Sequence, residues 1–229
     1  MLLFTAMAAA SDVYDFSGTW QMVLDTATHA AVPVLGRTSI YTHQTMVATV
    51  TRAGTDGFVV SHDVCTLVAE TRPALATTHF PDAFVNAIPG KSYPLELSDE
   101  GGRLRARMNL QPLAVGYDPD KTTALPQSLD SPSIVDWDND GKAAATIEIH
   151  LPVLGTVEVY QVQVATAILD GWVRSNDEIS GGAAVVGLQQ RTLGASNRLF
   201  VQNPTLSADP SASSFRMTRA PEGTRCPSG

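Results

Sequence analysis

Between Arg103 and Leu110 the chain alternates without a break. Leu104, Ala106, Met108 and Leu110 fall on one side, and Arg103, Arg105, Arg107 and Asn109 on the other. A period of two puts successive side chains on opposite faces of an extended backbone, so this segment predicts a strand with one buried and one wet face. Residues 146–151 repeat the pattern, with Ile147, Ile149 and Leu151 opposed to Glu148 and His150. Runs 39–52 and 57–67 flank Ala53-Gly54-Thr55-Asp56 as a hairpin, and 93–97 meets the alternating run around Asp99-Glu100-Gly101-Gly102. Strands are also expected at 14–24, 183–192 and 214–218. Along 156–169 the apolar phase shifts near Tyr160, from Val157 and Val159 to Val162 and Val164, which predicts a β-bulge.

Between these runs, 25–38 reads as a long loop, 116–133 as irregular and Asp170-Gly171 as a turn. Residues 81–88 suit one or two helical turns ended by Pro89-Gly90. About nine strands with almost no helix predict an all-β chain, an antiparallel barrel of about 8–10 strands, with a β-sandwich as the alternative. A length of 229 residues with 44% hydrophobic and 17% charged residues suits one such domain, at 11–229. The net charge of −8 argues against nucleic acid or an anionic membrane as partner, since both call for a basic surface.

The first ten residues are apolar and small and end in Ala8-Ala9-Ala10. They fit the apolar region and cleavage site of a signal peptide, without its positive start; a buried N-terminal strand is the alternative. No later run approaches the ~20 apolar residues of a membrane span. The expected location is therefore extracellular or periplasmic. Cys65 and Cys226 are the only cysteines. In an oxidising compartment they predict a single disulfide pinning the tail to the body, for which chain-entropy models give on the order of 4–5 kcal/mol. Two free thiols are expected if the chain stays in a reducing one.

Residues 136–141 read Asp136-Trp137-Asp138-Asn139-Asp140-Gly141. Three carboxylates at alternate positions, followed by a glycine that permits a sharp turn, are what a loop needs to wrap oxygen ligands around calcium. The Lys142 carbonyl would stand at the seventh position of such a loop. The twelfth, where an EF-hand places its bidentate Glu, is Ile147, and Glu148 follows one residue late. Glu148, Asp118, Asp120, Asp130 or water are the expected further ligands, with an acidic turn that holds no ion as the alternative. With strand-like flanks, the loop (136–142) resembles the D-x-D-x-D-G calcium loops of secreted bacterial β proteins rather than a helical EF-hand.

A second resemblance starts at Phe16-Ser17-Gly18-Thr19-Trp20. Gly18 and Trp20 are similar to the G-x-W signature of lipocalins and their barrel relatives, where the tryptophan closes the base of the barrel. That resemblance implies an arginine near the last strand stacked on the tryptophan, here Arg216 or Arg219, and fits a tail tied back by Cys65 and Cys226. A T-D-Y motif and a C-terminal helix are missing, and that family carries no D-x-D-x-D-G loop. Leu193-Gly194-Ala195-Ser196-Asn197, with the acidic loop, also resembles uncharacterised secreted bacterial proteins of similar length. No activity comes with that likeness.

The histidines, His29, His43, His62, His79 and His150, show no H-x-H or H-E-x-x-H spacing and read as strand or loop polar groups. His43 and His62 lie on two arms of one hairpin and are expected to approach each other. No G-x-S-x-G elbow supports a hydrolase. The arginine stripe at 103, 105 and 107 reads as a solvated strand face. The functional expectation is a secreted calcium-binding barrel that carries a small apolar ligand, without catalysis, in a lumen lined by residues such as Val47, Val60, Met108 and Ile147. The alternatives are a surface interaction module with a calcium-rigidified loop, and a barrel enzyme such as a cyclase or hydrolase.

Overall fold

The computed structural model describes residues 14–32, 36–54, 57–74, 76–152 and 155–227. The segment read as an export signal, and the tip of the 53–56 hairpin, lie outside the described residues. The strands are β1 (Gly18–Val32), β2 (Gly36–Ala53), β3 (Gly57–Arg72), β4 (Thr77–His79), β5 (Lys91–Asp99), β6 (Leu104–Asn109) and β7 (Leu113–Val115). They continue as β8 (Ala145–Leu151), β9 (Gly155–Ser175), β10 (Glu178–Ala195), β11 (Leu206–Ala208) and β12 (Ser214–Arg219), with one short α-helix among the described residues, α1 (Asp82–Ala87).

All twelve strands belong to one sheet. Eight of them close on themselves through antiparallel pairings in the order β1, β2, β3, β5, β6, β9, β10, β12 and back to β1. The ring is a barrel, and the sandwich alternative is set aside. Its wall strands overrun it. The far ends of β3 and β9 are joined by β4 and β8, and the far end of β1 is capped by β11. The acidic loop enters β8, so it belongs to this outer level.

Inward side chains from all eight ring strands, with Phe16, make one core. Trp20, Met46, Phe58, Tyr93, Met108 and Leu169 are among its fully buried members, each worth about 1.5–3 kcal/mol of apolar burial. The lumen expected for a ligand is occupied by these side chains. Of the residues expected to line it, Val60 and Met108 do face inward. Val47 does not, because its neighbours Met46 and Ala48 take the inner face. A shift of one residue exchanges the two faces of a strand. Ile147 packs in a second cluster with Phe84, Val115, Val157 and Val159 at the outer level.

Two further expectations are corrected. Residues 25–32 and 36–38 are strand rather than loop: β1 and β2 pair continuously from Gly18 opposite Val50 to Val32 opposite Gly36. Of the polar side chains that suggested a loop, Asp25 meets His43 Nδ1 at 2.7 Å across the ladder, and His29 meets Ser39 Oγ at 3.0 Å and Asp209 Oδ2 at 3.1 Å. Asp170-Gly171 is strand interior rather than a turn. Asp170 accepts two hydrogen bonds from Arg105, at 2.7 and 2.5 Å. Gly171 faces Gly181 in register, and a Cβ on Gly181 would stand 2.3 Å from the Gly171 Cα. The glycines let two backbones touch.

β9 itself does not change phase near Tyr160: Val157, Val159, Gln161 and Leu169 stay on one buried face, while Val162 is buried on the other against Tyr117 and Ala144. The extra residue lies in the partner strand, where Thr192 and Gly194 of β10 face Gln161 and Tyr160. The arginine stripe is a solvated face, as expected: Arg103 and Arg107 are exposed, while Arg103 also lies over the Trp172 ring at 4.2 Å and Arg105 pairs with Asp170 of β9. The disulfide Cys65–Cys226 joins β3 to the tail, with a Cα–Cα distance of 4.9 Å.

Candidate metal centre and its surroundings

The loop before β8 is drawn together by its own backbone. Trp137 N–H donates to the Ala144 carbonyl at 3.2 Å and Ala144 N–H to the Val135 carbonyl at 2.9 Å, closing its base. Inside, Asp136 accepts from the amides of Asp140 and Gly141 at 3.1 and 3.0 Å. Gly141 has φ of 84°, a left-handed turn in which glycine carries no Cβ penalty. Trp137 packs against Phe84 of α1 with ring centroids 5.0 Å apart, tying the loop to the outer core.

This folding brings one carboxylate oxygen from each of Asp136, Asp138 and Asp140 within 4.8 Å of one another. Two unit charges at that distance repel by about 3 kcal/mol at an effective dielectric of ~20 and by about 1 kcal/mol in water. Asp138 bears the larger strain, being 5% exposed. Its Oδ2 accepts from Thr146 N–H at 3.0 Å, while its Oδ1 is buried with no hydrogen-bond partner. Burial pushes the Asp138 carboxyl above the usual range, and the charges of Asp140 and Asp136 add to this against the Thr146 hydrogen bond. A buried carboxylate oxygen without a donor, in a ring of acids, fits a cation ligand.

Of the other residues expected at the loop, Lys142 takes part through its ammonium. Its Nζ lies 3.4 Å from Asp140 Oδ2 and 2.9 Å from Glu158 Oε1. The hydrogen bond from Lys142 holds the Glu158 carboxyl below its usual range. Glu148 is not brought to the aspartates. It stands on β8 beside His79 and His150, its Oε2 at 3.8 Å from His79 Nδ1 and 3.4 Å from His150 Nε2. Sequence spacing missed this second cluster, since its members come from β4 and β8 and meet only through strand pairing.

His43 and His62 do not approach each other, because β2 and β3 set His43 opposite Val68 and His62 opposite Ala48. His62 instead meets Tyr93, whose hydroxyl lies 3.0 Å from its Nδ1. At the barrel end, Trp20 Nε1 donates to the Phe16 carbonyl at 2.8 Å, and Arg219, not Arg216, stacks on the ring. A cleft of about 620 Å³ opens there, lined by Gly18, Thr19, Thr49, Thr51 and Arg219 among others. Among the described residues, no helix is long and apolar enough to cross a membrane.

No family model matches the chain, and no curated protein matches it. Among solved structures it is similar to DynF from the dynemicin biosynthesis pathway of Micromonospora chersina, at 12% identity and a TM-score of 0.36. That likeness covers 90% of this chain and 81% of the other, and at such a score it bears on neither fold nor function.

Proposed function

We propose that the chain is an exported, single-domain β-barrel that uses the loop at Asp136, Asp138 and Asp140 to bind calcium, and that the ion rigidifies a surface for interaction with other molecules. One observation carries the reading: Asp138 Oδ1 is buried and has no donor, within a cluster of three converging carboxylates. An oxygen-only donor set suits a hard cation, and calcium accepts the irregular geometry of a loop better than magnesium does. Remaining positions would be filled by backbone carbonyls and water. The disulfide is consistent with export, because such bonds persist in oxidising compartments.

Carriage of an apolar ligand inside the ring is the weaker reading, since twenty buried side chains occupy that core. The surface reading has an anchor in Trp137, which follows the first aspartate and packs on Phe84. Ordering the loop therefore orders an aromatic contact of the outer level. Calorimetric titration of chelator-treated protein tests the proposal. One calcium per chain is expected, and no heat of binding at millimolar calcium would refute it. Trp137 emission should change with the same midpoint, and a Trp137→Phe variant should lose that optical signal while still binding.

A further inference from the structure

We infer that His79, Glu148 and His150 form a second metal site, for a divalent transition ion of the zinc class, separate from the acidic loop. β4 and β8 pair with Thr77 opposite His150 and His79 opposite Glu148. This register sets the two imidazoles and the carboxylate on one patch, and one donor atom of each lies within 4.8 Å of the others. Four ligands placed tetrahedrally at ~2.1 Å from zinc stand about 3.4 Å apart. Glu148 Oε2 is already 3.4 Å from His150 Nε2 and 3.8 Å from His79 Nδ1. Small side-chain rotations complete the triangle.

Two observations independent of that triangle support the site. The outer nitrogen of His150, Nδ1, lies 2.9 Å from Thr156 Oγ1. With Nδ1–H donating to that hydroxyl, the Nε2 lone pair points toward Glu148, the supporting contact that orients a metal-bound histidine. Glu148 also lies directly opposite Glu158 in the β8–β9 ladder. Like charges in that position repel, and Glu158 is compensated by Lys142. Glu148 has two imidazoles, which when neutral supply no opposite charge; a divalent ion does. Two nitrogens and one carboxylate oxygen are a borderline donor set, suited to zinc and unlike the all-oxygen loop. Three protein ligands leave a fourth position for water or an added ligand. The side chains of His79, Glu148 and His150 are 48%, 32% and 45% exposed, which leaves that position open to solvent.

The test is a zinc titration of metal-free protein in millimolar calcium, repeated with cobalt(II) for its visible spectrum. One zinc per chain with micromolar or tighter affinity is expected, together with a cobalt absorption typical of a four-coordinate site. His79→Gln and His150→Gln should each weaken zinc binding at least tenfold, with near-ultraviolet dichroism unchanged. Asp136→Asn should leave zinc binding as it is while weakening calcium, so failure of one site is told apart from failure of the other. No zinc binding in the wild-type protein, or full binding in both histidine variants, overturns the inference.

Discussion

Arg219 covers the Trp20 ring with its guanidinium carbon 4.7 Å from the centroid, and its nitrogens donate to the carbonyls of Ser17, Asp15 and Asn176 at 2.8, 2.7 and 2.9 Å. One side chain thus joins the first strand, the last strand and the turn between β9 and β10. Asp177 adds an ion pair at 2.7 Å. Arg219→Ala should destabilise the fold by about 2–3 kcal/mol, from the cation–π contact and three carbonyls left without this donor. Arg219→Lys should recover only part, because an ammonium cannot span three acceptors and a ring. Urea denaturation measures both; a loss below about 0.5 kcal/mol for the alanine variant would contradict this closure.

The close approach of β9 and β10 gives a second prediction. A Cβ at Gly181 would lie 2.3 Å from the Asp170 carbonyl oxygen and from the Gly171 Cα, both backbone atoms that a rotamer change cannot move. Gly181→Val should cost at least ~2 kcal/mol, whereas Gly182→Ala, with open space around its Cβ, should cost much less. Equal melting temperatures for the two variants would show that the backbones do not touch.

The barrel wall was readable from the chain to the extent that one face of each strand is apolar, as at Leu104, Ala106 and Met108. The reading failed where polar side chains find partners only across the sheet. Asp25 looks like loop chemistry until His43 stands opposite it, and Asp170-Gly171 looks like a turn until Arg105 and Gly181 meet it. The three aspartates were readable because a short loop gathers them locally. Glu148 was assigned to that loop by proximity in sequence, whereas strand pairing carries it to His79. The choice of Arg219 over Arg216 needed the barrel to close, which no local pattern encodes.

Acid sensitivity should arise in part at His62. Burial, with a smaller contribution from Lys91, pushes its imidazole below the usual 6.5, against the attraction of Asp63. The unfolded chain therefore binds a proton first as pH falls. The stability from keeping His62 neutral is complete above about 6.5 and is lost as pH drops toward the depressed folded value. Melting temperatures measured from pH 8 to 5 should fall on the acid side, and His62→Gln should flatten that slope. An unchanged slope in the variant would place the sensitivity elsewhere.

Reduction should loosen the tail. The Cys65–Cys226 bond spans 161 positions, for which chain-entropy reasoning gives about 5 kcal/mol as an upper figure. Non-reducing peptide mapping should recover the linked pair, and the Cys65→Ala/Cys226→Ala protein should melt lower. Free thiols in protein made in an oxidising medium would contradict the pairing.

The calcium site is tested most directly by melting wild-type and Asp138→Asn protein in excess chelator and in millimolar calcium. An ion that binds only the native state adds RT ln(1 + [L]/Kd), about 2.7 kcal/mol at one hundred times Kd. The wild-type protein should therefore melt several degrees higher with calcium. Asparagine keeps an acceptor for the Thr146 amide while removing the buried charge, so the variant in chelator should be at least as stable as wild type. Calcium should then leave the variant's midpoint unmoved. A wild-type midpoint that is the same with chelator and with calcium, or an undiminished calcium shift in Asp138→Asn, would contradict the account.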